Sequence, residues 1–399
     1  MIYSPTAPRL RFVARVVGVL TAGLLIACQP SPTASPPARS SSATGGAATS
    51  PQMQQWEQVV AAARQEGELT LYGAISGGIR EALIEPFEKA YPGIKVNGTF
   101  APANDLVPRI LAERDARKYI PDVIVGPASQ AVLLLKPVGA VAPLEPAFLH
   151  PEVTDLSLWY QNRRWWVDSS EPYTTMAFQA YVGTTITYNS QMVDPREFTS
   201  FADLLNPKWR GKIVSNDIRR PGQGSVQVRY VYGHPDLGPA FLNRLFSEMD
   251  VTLSTDHRQM VDWIAQGRYP IGLWISSTQM KAAMELGLPV GEIPGDQLRE
   301  GAPISIGGGT INLAGDAPHP NAARVFINWL LSKDGQDSWQ EHVQQPSLRL
   351  DVSRAGLDPT GIPKPGVQYA DGGTEEYLAR VPSEDITAIV EQGLARATR

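Results

Sequence analysis

Residues 67–100 read GELTLYGAISGGIREALIEPFEKAYPGIKVNGTF, and this stretch decides the fold class. An apolar run, ELTLYGA, precedes a helical pattern, IREALIEPFEKAYPG, and a second apolar run, IKVNGTF, follows. Two short β runs joined by a helix-length connection are typical of neighbouring parallel strands. The stretch therefore predicts a strand–helix–strand unit of an α/β protein.

The same alternation continues on both sides of this unit. WEQVVAAARQEG, before it, predicts a helix that ends at Gly67. After it we expect strands at PDVIVG, GKIVSND, YPIGLW and PISIGGGTINLAG. The expected helices are DLVPRILAERDA, a helix beginning at SQAVLLLKPVG, SVQVRYVYG, QMVDWIAQG, STQMKAAMELG and one long helix, PNAARVFINWLLSKDGQDSWQEHV. The sequence thus predicts parallel or mixed α/β sheet throughout.

The N-terminus has the three parts of an export signal. Arg9, Arg11 and Arg15 precede the apolar residues 16–27, a run too short to span a bilayer. The run ends in LIAC, which resembles the bacterial lipobox, and Cys28 is the only cysteine of the 399 residues. A disulfide would need a second cysteine, so we expect residues 1–27 to be a lipoprotein signal peptide and Cys28 to carry the lipid. A plain secretory cleavage and an uncleaved anchor are the alternatives.

Residues 28–52 are rich in Pro, Ser, Thr and Ala and contain almost no large apolar side chain. Such a segment cannot bury enough surface to offset the entropy of ordering, so it predicts a flexible tether. The chain beyond it exceeds the size that one hydrophobic core usually serves, so two domains are expected.

The charge of the chain excludes one class of partner. Removing residues 1–27 removes three arginines and no acidic residue, which lowers the formal net charge from −5 to −8. Nucleic-acid-binding proteins present concentrated positive charge, so no nucleic-acid partner is expected.

Several segments resemble the extracellular solute-binding proteins of ABC importers, and most closely their iron(III)-binding branch. The resemblance covers residues 56–345. It is carried, in the family's order, by EGELTLYGA, FEKAYPGIKV, PDVIVG, TITYNSQMV, FADLLNPKWRGKIV and APHPNAARVFINWLLSKDGQDSW. It implies a two-lobed, periplasmic-binding-protein-like α/β fold of type 2, whose lobes close over a small ligand.

The resemblance also implies two hinge crossings between the lobes. The first lobe would comprise residues 53–185 with 308–348, and the second residues 186–307 with 349–399. The segment 184–189 would lie on or just after the first crossing, and 304–315 would carry the second. Gly307–Gly309 suit a hinge or a close approach of two backbones, although an ordinary bulged strand would also explain them.

Four junctions between a strand and a following helix are candidate ligand contacts. At the carboxyl end of a strand, a helix N-terminus can bind an anion through free backbone N–H groups. Serine is also a common helix cap, which is the structural alternative at each junction. The candidate residues at these junctions are Ser76, Gly77, Ser129, Arg219, Arg220, Ser225, Ser276 and Ser277.

Three tyrosines and one tryptophan complete the candidate site. Tyr72, Tyr181 and Tyr188 are predicted near strand ends, where a phenol could contact ligand or bind Fe(III), although core packing is the common alternative. The iron-binding branch typically has adjacent tyrosines where this chain has Trp274, Ile275, Ser276 and Ser277. Indole and hydroxyl groups are poor Fe(III) ligands, which speaks against bound iron. A small anion or an organic acid fits the visible groups at least as well.

Catalytic motifs are absent from the sequence. It contains no Gly-x-Ser-x-Gly elbow, no His-Glu-x-x-His pair and no phosphate-binding loop with Lys-Ser/Thr. We therefore expect a monomeric, non-enzymatic, extracytoplasmic solute-binding protein without a cofactor, which delivers its ligand to an ABC permease. A ligand-sensing subunit of a receptor and, further off, a secreted hydrolase are the alternatives.

Overall fold

The described part of the chain begins at residue 50. The computed structural model describes residues 50–74, 77–126, 128–183, 186–219, 223–367, 369–379 and 383–397. The predicted signal peptide, Cys28 and all but the last three residues of the predicted tether therefore lie outside the described residues. Within the described ranges, none of the helices is long and apolar enough to cross a membrane.

The strands of the described residues are short, and the longest have seven residues. In chain order they are β1 (Glu68–Ala74), β2 (Lys95–Ala101), β3 (Val123–Val125), β4 (Val141–Ala142), β5 (Trp165–Trp166), β6 (Met176–Ala177), β7 (Tyr181–Val182), β8 (Ile186–Asn189), β9 (Ile213–Asn216), β10 (Thr252–Ser254), β11 (Ile271–Leu273), β12 (Val290–Glu292), β13 (Pro303–Ser305), β14 (Thr310–Ala314) and β15 (Ala370–Asp371).

The α-helices alternate with these strands. They are α1 (Pro51–Glu66), α2 (Ile79–Leu83), α3 (Glu85–Ala90), α4 (Ala103–Asp115), α5 (Ala128–Gln130), α6 (Pro151–Thr154), α7 (Gln223–Gly233), α8 (Gly238–Glu248), α9 (His257–Ala265), α10 (Ser277–Glu285), α11 (Pro320–Leu331), α12 (Lys333–Val343), α13 (Glu375–Ala379) and α14 (Ser383–Ala397). A π-helix, Ala131–Leu135, and several 3₁₀ turns fill the connections.

The strands form two large sheets and one small one. The first sheet has the order β2-β1-β3-β14-β6-β5, with β4 also paired to β14; β1 is parallel to β2 and β3, and β14 is antiparallel to β3. The second sheet has the order β10-β9-β11-β8-β12, in which β8 is antiparallel to its two neighbours. The small sheet, β15-β13-β7, lies on the connections between them and is called the crossing sheet below. The predicted α/β class is confirmed.

Each large sheet has its own apolar core. Leu71, Val125 and Phe326 are buried around the first sheet, whereas Phe246 and Ile271 are buried around the second. Two separate cores are the physical basis of two lobes, since each buries enough apolar surface to form a unit of its own.

The C-terminal residues pack on both sides. Ile386 and Val390 of α14 belong to the core of the second sheet. The fully buried guanidinium of Arg349 instead pairs with Glu152 at 3.0 Å and donates to the carbonyl of Leu331 at 3.0 Å, on the side of the first sheet. The chain thus connects the two regions a third time after the two crossings.

Local capping explains where the first helix begins and ends. The Ser50 hydroxyl accepts a hydrogen bond from the Met53 N–H at 3.2 Å, and Pro51 occupies the first helical position. At the other end Gly67 is left-handed and its N–H donates to the Ala63 carbonyl at 3.0 Å. The sequence predicted the stop at Gly67, whereas the helix begins at Pro51, five residues before the predicted start at Trp56.

Two predicted helices are interrupted. The prediction of one helix over 79–93 is wrong, because α2 ends at Leu83 and a new helix begins after Ile84. The long helix predicted over 320–343 is also broken, at Ser332, whose backbone is extended and whose hydroxyl caps α12 by accepting from the Gly335 N–H. The helix predicted to begin at SQAVLLLKPVG starts as α5 but continues as π- and 3₁₀-helix.

Gln179 ties the two crossing segments together. The chain leaves the first sheet through β7, and the returning β13 pairs antiparallel with it, Ser305 opposite Tyr181. The Gln179 side chain is only 3% exposed, and its Nε2 donates to the Ile306 carbonyl at 3.0 Å. Its Oε1 accepts a hydrogen bond from the Trp339 indole at 2.7 Å. One amide thus joins both crossing segments to α12.

Two of the three glycines at 307–309, Gly307 and Gly309, are required by the local geometry. Gly307 has a φ of 51°, in the left-handed region. A Cβ at Gly309 would overlap the buried Gln179 side chain, whereas a Cβ at Gly308 would meet no atom within 4 Å. Gly309 therefore leaves room for the Gln179 side chain.

Replacing Gly309 by alanine should destabilise the protein. The added methyl must displace the Gln179 side chain, and overpacking of a buried contact costs about 1–3 kcal/mol of the free energy of unfolding. The neighbouring Gly308→Ala is the matched control, with an expected change within about 0.5 kcal/mol. Urea denaturation of both variants checks this, and equal stabilities would contradict the role assigned to Gly309.

Candidate functional site

A cavity of about 680 Å³ opens beside the crossing sheet. Its walls come from parts of the chain that are far apart in sequence. The crossing segments contribute Gln179, Tyr181, Val182, Gly307 and Gly308; α7 and α10 contribute Gln227, Lys281, Ala282 and Glu285; the end of β12 contributes Glu292; α12 and the residues after it contribute Trp339, His342 and 343–346; Gly77, Leu357, Asp358, Thr360 and Gly361 complete the lining. Its volume and concave shape suit a small solute.

One wall of the cavity is rigid. Trp339 and Gln179 are both buried and are joined by the hydrogen bond between the indole N–H and the amide oxygen. Because both ends of the Gln179 amide are engaged, this side chain has one orientation. The wall is therefore formed before any ligand arrives.

Gln227 on α7 presents the opposite case. Its side chain is 8% exposed, it lines the cavity, and its Oε1 has no hydrogen-bond partner among the described residues. A buried acceptor without a partner costs about 1–3 kcal/mol of stability. A hydrogen-bond donor that entered the cavity would remove that cost.

Carboxylates outnumber cations in the described lining. Lys281 faces three acidic residues, Glu285, Glu292 and Asp358, so the lining has a formal charge of −2 when His342 is counted as neutral. One Asp358 oxygen is occupied, because it accepts from the Thr360 N–H and hydroxyl at 2.9 and 2.8 Å. Among the described residues no group of three His, Cys, Asp or Glu side chains could hold a metal ion. The charge of the lining therefore favours positively charged or neutral solutes.

Two of the candidate residues lie at this cavity, Gly77 and Tyr181. Tyr181 is half-buried in β7, and its ring lies 3.3 Å from the position that a Cβ of Gly307 would occupy. Burial raises the pKa of its phenol above the usual value, so the hydroxyl stays protonated at neutral pH. A neutral phenol is suited to hydrogen bonding and ring contact with a solute.

Three other aromatic candidates pack elsewhere. Tyr188 lies in β8 and covers Gly291 of the neighbouring β12. Trp274 is buried against Phe246 in the second core, although its φ of 55° is unusual for a bulky residue. Tyr72 donates to the Glu113 carboxylate at 3.0 Å, and burial and this carboxylate raise its pKa to about 12. None of the three lines the cavity.

The polar groups at two of the predicted junctions already have protein partners. The guanidinium of Arg219 makes two hydrogen bonds of 2.8 Å to the Asp217 carboxylate. The Ser276 N–H, at the start of α10, donates to His257 Nδ1 at 3.2 Å. An anion at either position would have to compete with these contacts.

For some of the remaining candidates the structure gives only the helix to which they belong, and two lie outside the described residues. Ser129 is half-buried in α5, Ser225 lies in α7 and Ser277 begins α10. Ser76 and Arg220 lie outside the described residues. Their role in ligand binding stays a prediction.

The residues that dominate the cavity were not among the sequence candidates. Lys281 and Glu285 are one helical turn apart on α10, directly after the predicted Ser276–Ser277 junction. That spacing is a readable signal, because residues four apart share one face of a helix. Gln227, Glu292 and Asp358 carry no comparable pattern in the sequence.

Comparison with known families identifies the chain. The model of the family "Bacterial extracellular solute-binding protein" matches residues 72–337. The chain belongs to this family. The resemblance stated from the sequence motifs is thereby confirmed, and the family is one of substrate-binding transport proteins. Comparison with curated proteins gives no significant match.

Several solved structures have a similar fold, and each of them aligns with most of this solute-binding protein. Trichodesmium IdiA (FutA), in complex with iron and citrate, is 20% identical with a TM-score of 0.59, over 82% of this chain and 99% of that one. Iron-bound HitA from Pseudomonas aeruginosa is 19% identical with a TM-score of 0.57, over 82% and 99%. AfuA from Actinobacillus pleuropneumoniae, with fructose-6-phosphate bound, is 15% identical with a TM-score of 0.54, over 84% and 99%. The likeness confirms the two-lobed periplasmic-binding-protein fold.

The two glutamines of the cavity should respond oppositely to replacement by leucine. Gln179→Leu leaves the Ile306 carbonyl and the Trp339 indole without partners, so the free energy of unfolding should fall by about 2–4 kcal/mol. Gln227→Leu removes an acceptor that had no partner, so stability should stay equal or rise. Chemical denaturation of the ligand-free variants measures both. A loss at Gln227 as large as that at Gln179 would show that its amide is bonded after all.

Proposed function

We propose that this protein is the extracytoplasmic, lipid-anchored solute-binding component of an ABC importer. The observation that carries the proposal is a cavity lined by both crossing segments together with helices of the second sheet, in a chain of the solute-binding family. A ligand held there contacts both lobes at once. The protein would capture a small solute in this cavity and deliver it to the permease.

Closure follows from the position of the cavity. A ligand that contacts both lobes stabilises the closed arrangement over the open one, by its difference in affinity for the two states. The permease can then distinguish loaded from empty protein by shape alone. The mechanism is recognition, and it uses no bond-making step.

The lobes that close are proposed as residues 53–185 with 308–348, and residues 186–307 with the C-terminal part. The packing of α14 into the second core supports this placement of the C-terminus. The contacts of Arg349 with Glu152 and Leu331 favour an assignment of residues 349–351 to the first lobe instead.

The solved structures of similar fold suggest two classes of ligand to test. Two of these structures contain iron, and the third contains a sugar phosphate. Iron(III) and a small anion or organic acid are also the two classes that the sequence motifs suggested. Both therefore belong in the first binding panel.

A ligand of this protein should raise its thermal midpoint and reduce its radius of gyration in solution scattering. At 100 times the dissociation constant, the gain is about 2.7 kcal/mol. The panel would contain Fe(III)–citrate, phosphate, sulfate, fructose-6-phosphate, dicarboxylates, polyamines and thiamine. Stabilisation without compaction would contradict the closure mechanism.

A cavity-blocking variant makes this experiment specific. Gly308 lines the cavity and has no atom within 4 Å of its Cβ position, so Gly308→Leu should fill the cavity and abolish the shift. Gly233→Leu, at the end of α7, has the same free surroundings outside the described lining and should keep it. A ligand response that survives Gly308→Leu would place binding elsewhere.

The lipid anchor is tested separately in cells. Metabolic labelling with a fatty-acid probe should modify the protein, and Cys28→Ser should abolish the label because no other cysteine is present. Ser31→Ala, in the same segment, is the control that should stay labelled. Label on the Cys28→Ser protein, or none on the unchanged chain, would overturn the anchor.

A further inference from the structure

Three kinds of group meet at the cavity, and all three favour one class of ligand. They are surplus carboxylates, a buried acceptor without a partner and an aromatic ring. From these we infer that the solute is a small organic amine, bound in its ammonium form. The inference rests on the proposed function, since it assumes that this cavity holds the transported solute.

The charge of the lining gives the first argument. Glu285 and Asp358 line the cavity with Lys281 as the one cation of the described lining, so a negative surplus remains even when Glu292 is left out of the count. Lys281 makes no ion pair with any described residue, and only its position four residues before Glu285 offsets the acidic charge locally. In a partly enclosed site a surplus of negative charge attracts cations and repels anions by several kT.

Gln227 gives the second and independent argument. Its buried Oε1 is an acceptor, and it lacks a donor among the described residues. Deprotonated carboxylate groups and sulfate have no hydrogen to donate, so neither of them can satisfy this atom. An ammonium group has up to three N–H donors and can satisfy Gln227 and a carboxylate together.

The donor set also favours an organic cation over a metal ion. The described acidic and histidine side chains form no group of three that could coordinate a metal. The lining also contains the half-buried Tyr181 ring and apolar groups such as Ala282 and Leu357. Such a surface binds the methylene or ring part of an amine and attracts its charge through the face of the ring.

Two opposite charge changes on α10 test the inference. Isothermal titration of the intact protein, purified in detergent, would use putrescine and spermidine as amine probes. Glu285→Gln should weaken amine binding by about tenfold, because it removes a carboxylate from the lining. Lys281→Met removes the opposing cation at equal length and should strengthen binding severalfold. Glu341→Gln, an exposed acidic residue of α12 outside the described lining, should change nothing.

Gln227→Leu supplies a readout that a general loss of stability would not give. It should weaken amine binding about tenfold while the ligand-free protein stays at least as stable. A structural role alone would lower stability and affinity together.

The outcomes separate the inference from the proposed function. If Fe(III)–citrate, phosphate or fructose-6-phosphate binds and Gly308→Leu blocks it, while the amines do not bind, the inference falls and the proposed function stands. Weaker amine binding by Lys281→Met would also overturn the inference, because it would show that the lysine holds an anionic group. If the folded protein binds no probe of any class, both fail.

Discussion

The buried amide of Gln179 is the contact on which the arrangement of the crossing depends. It joins the outgoing segment to the Ile306 carbonyl of the returning one and to the Trp339 indole of α12. Because the amide occupies this space, Gly309 must lack a side chain. Tyr181, two residues further along, then lines the cavity. The connection between the sheets and the wall of the site are therefore built from the same few residues.

A polar group of the cavity lowers the stability of the ligand-free protein. The Gln227 acceptor has no partner among the described residues. A protein optimised only for folding would place an apolar or paired group there. Such an unsatisfied acceptor is expected where a ligand completes the structure, and under the proposed function the ligand that satisfies it would also bridge the lobes.

Local sequence patterns predicted most helices and strands. They failed where a helix-capping residue lies inside a continuous helical pattern. The C-terminal cap of α1 is contained in neighbouring residues, so its end at Gly67 was predicted, whereas its start at Pro51 was not. The break at Ser332 depends on a hydroxyl that caps the following helix within an otherwise continuous helical pattern, and periodicity alone does not reveal it. The same limit applies to the candidate site. The Ser276 N–H was predicted to bind a ligand, but it donates to His257, a partner 19 residues away that the strand–helix pattern does not predict.

The sequence by itself determined the α/β class, the solute-binding family and the prediction of an exported, tethered chain, because these depend on periodicity, motif order and composition along the chain. Only the tertiary structure decided which side chains form the cavity. Gln227, Lys281 and Tyr181 come from two helices and a crossing strand, separated by many residues, and packing alone brings them together. Whether a buried polar atom has a partner is likewise a property of three-dimensional neighbours, so the unpartnered Gln227 acceptor could not be read from the chain.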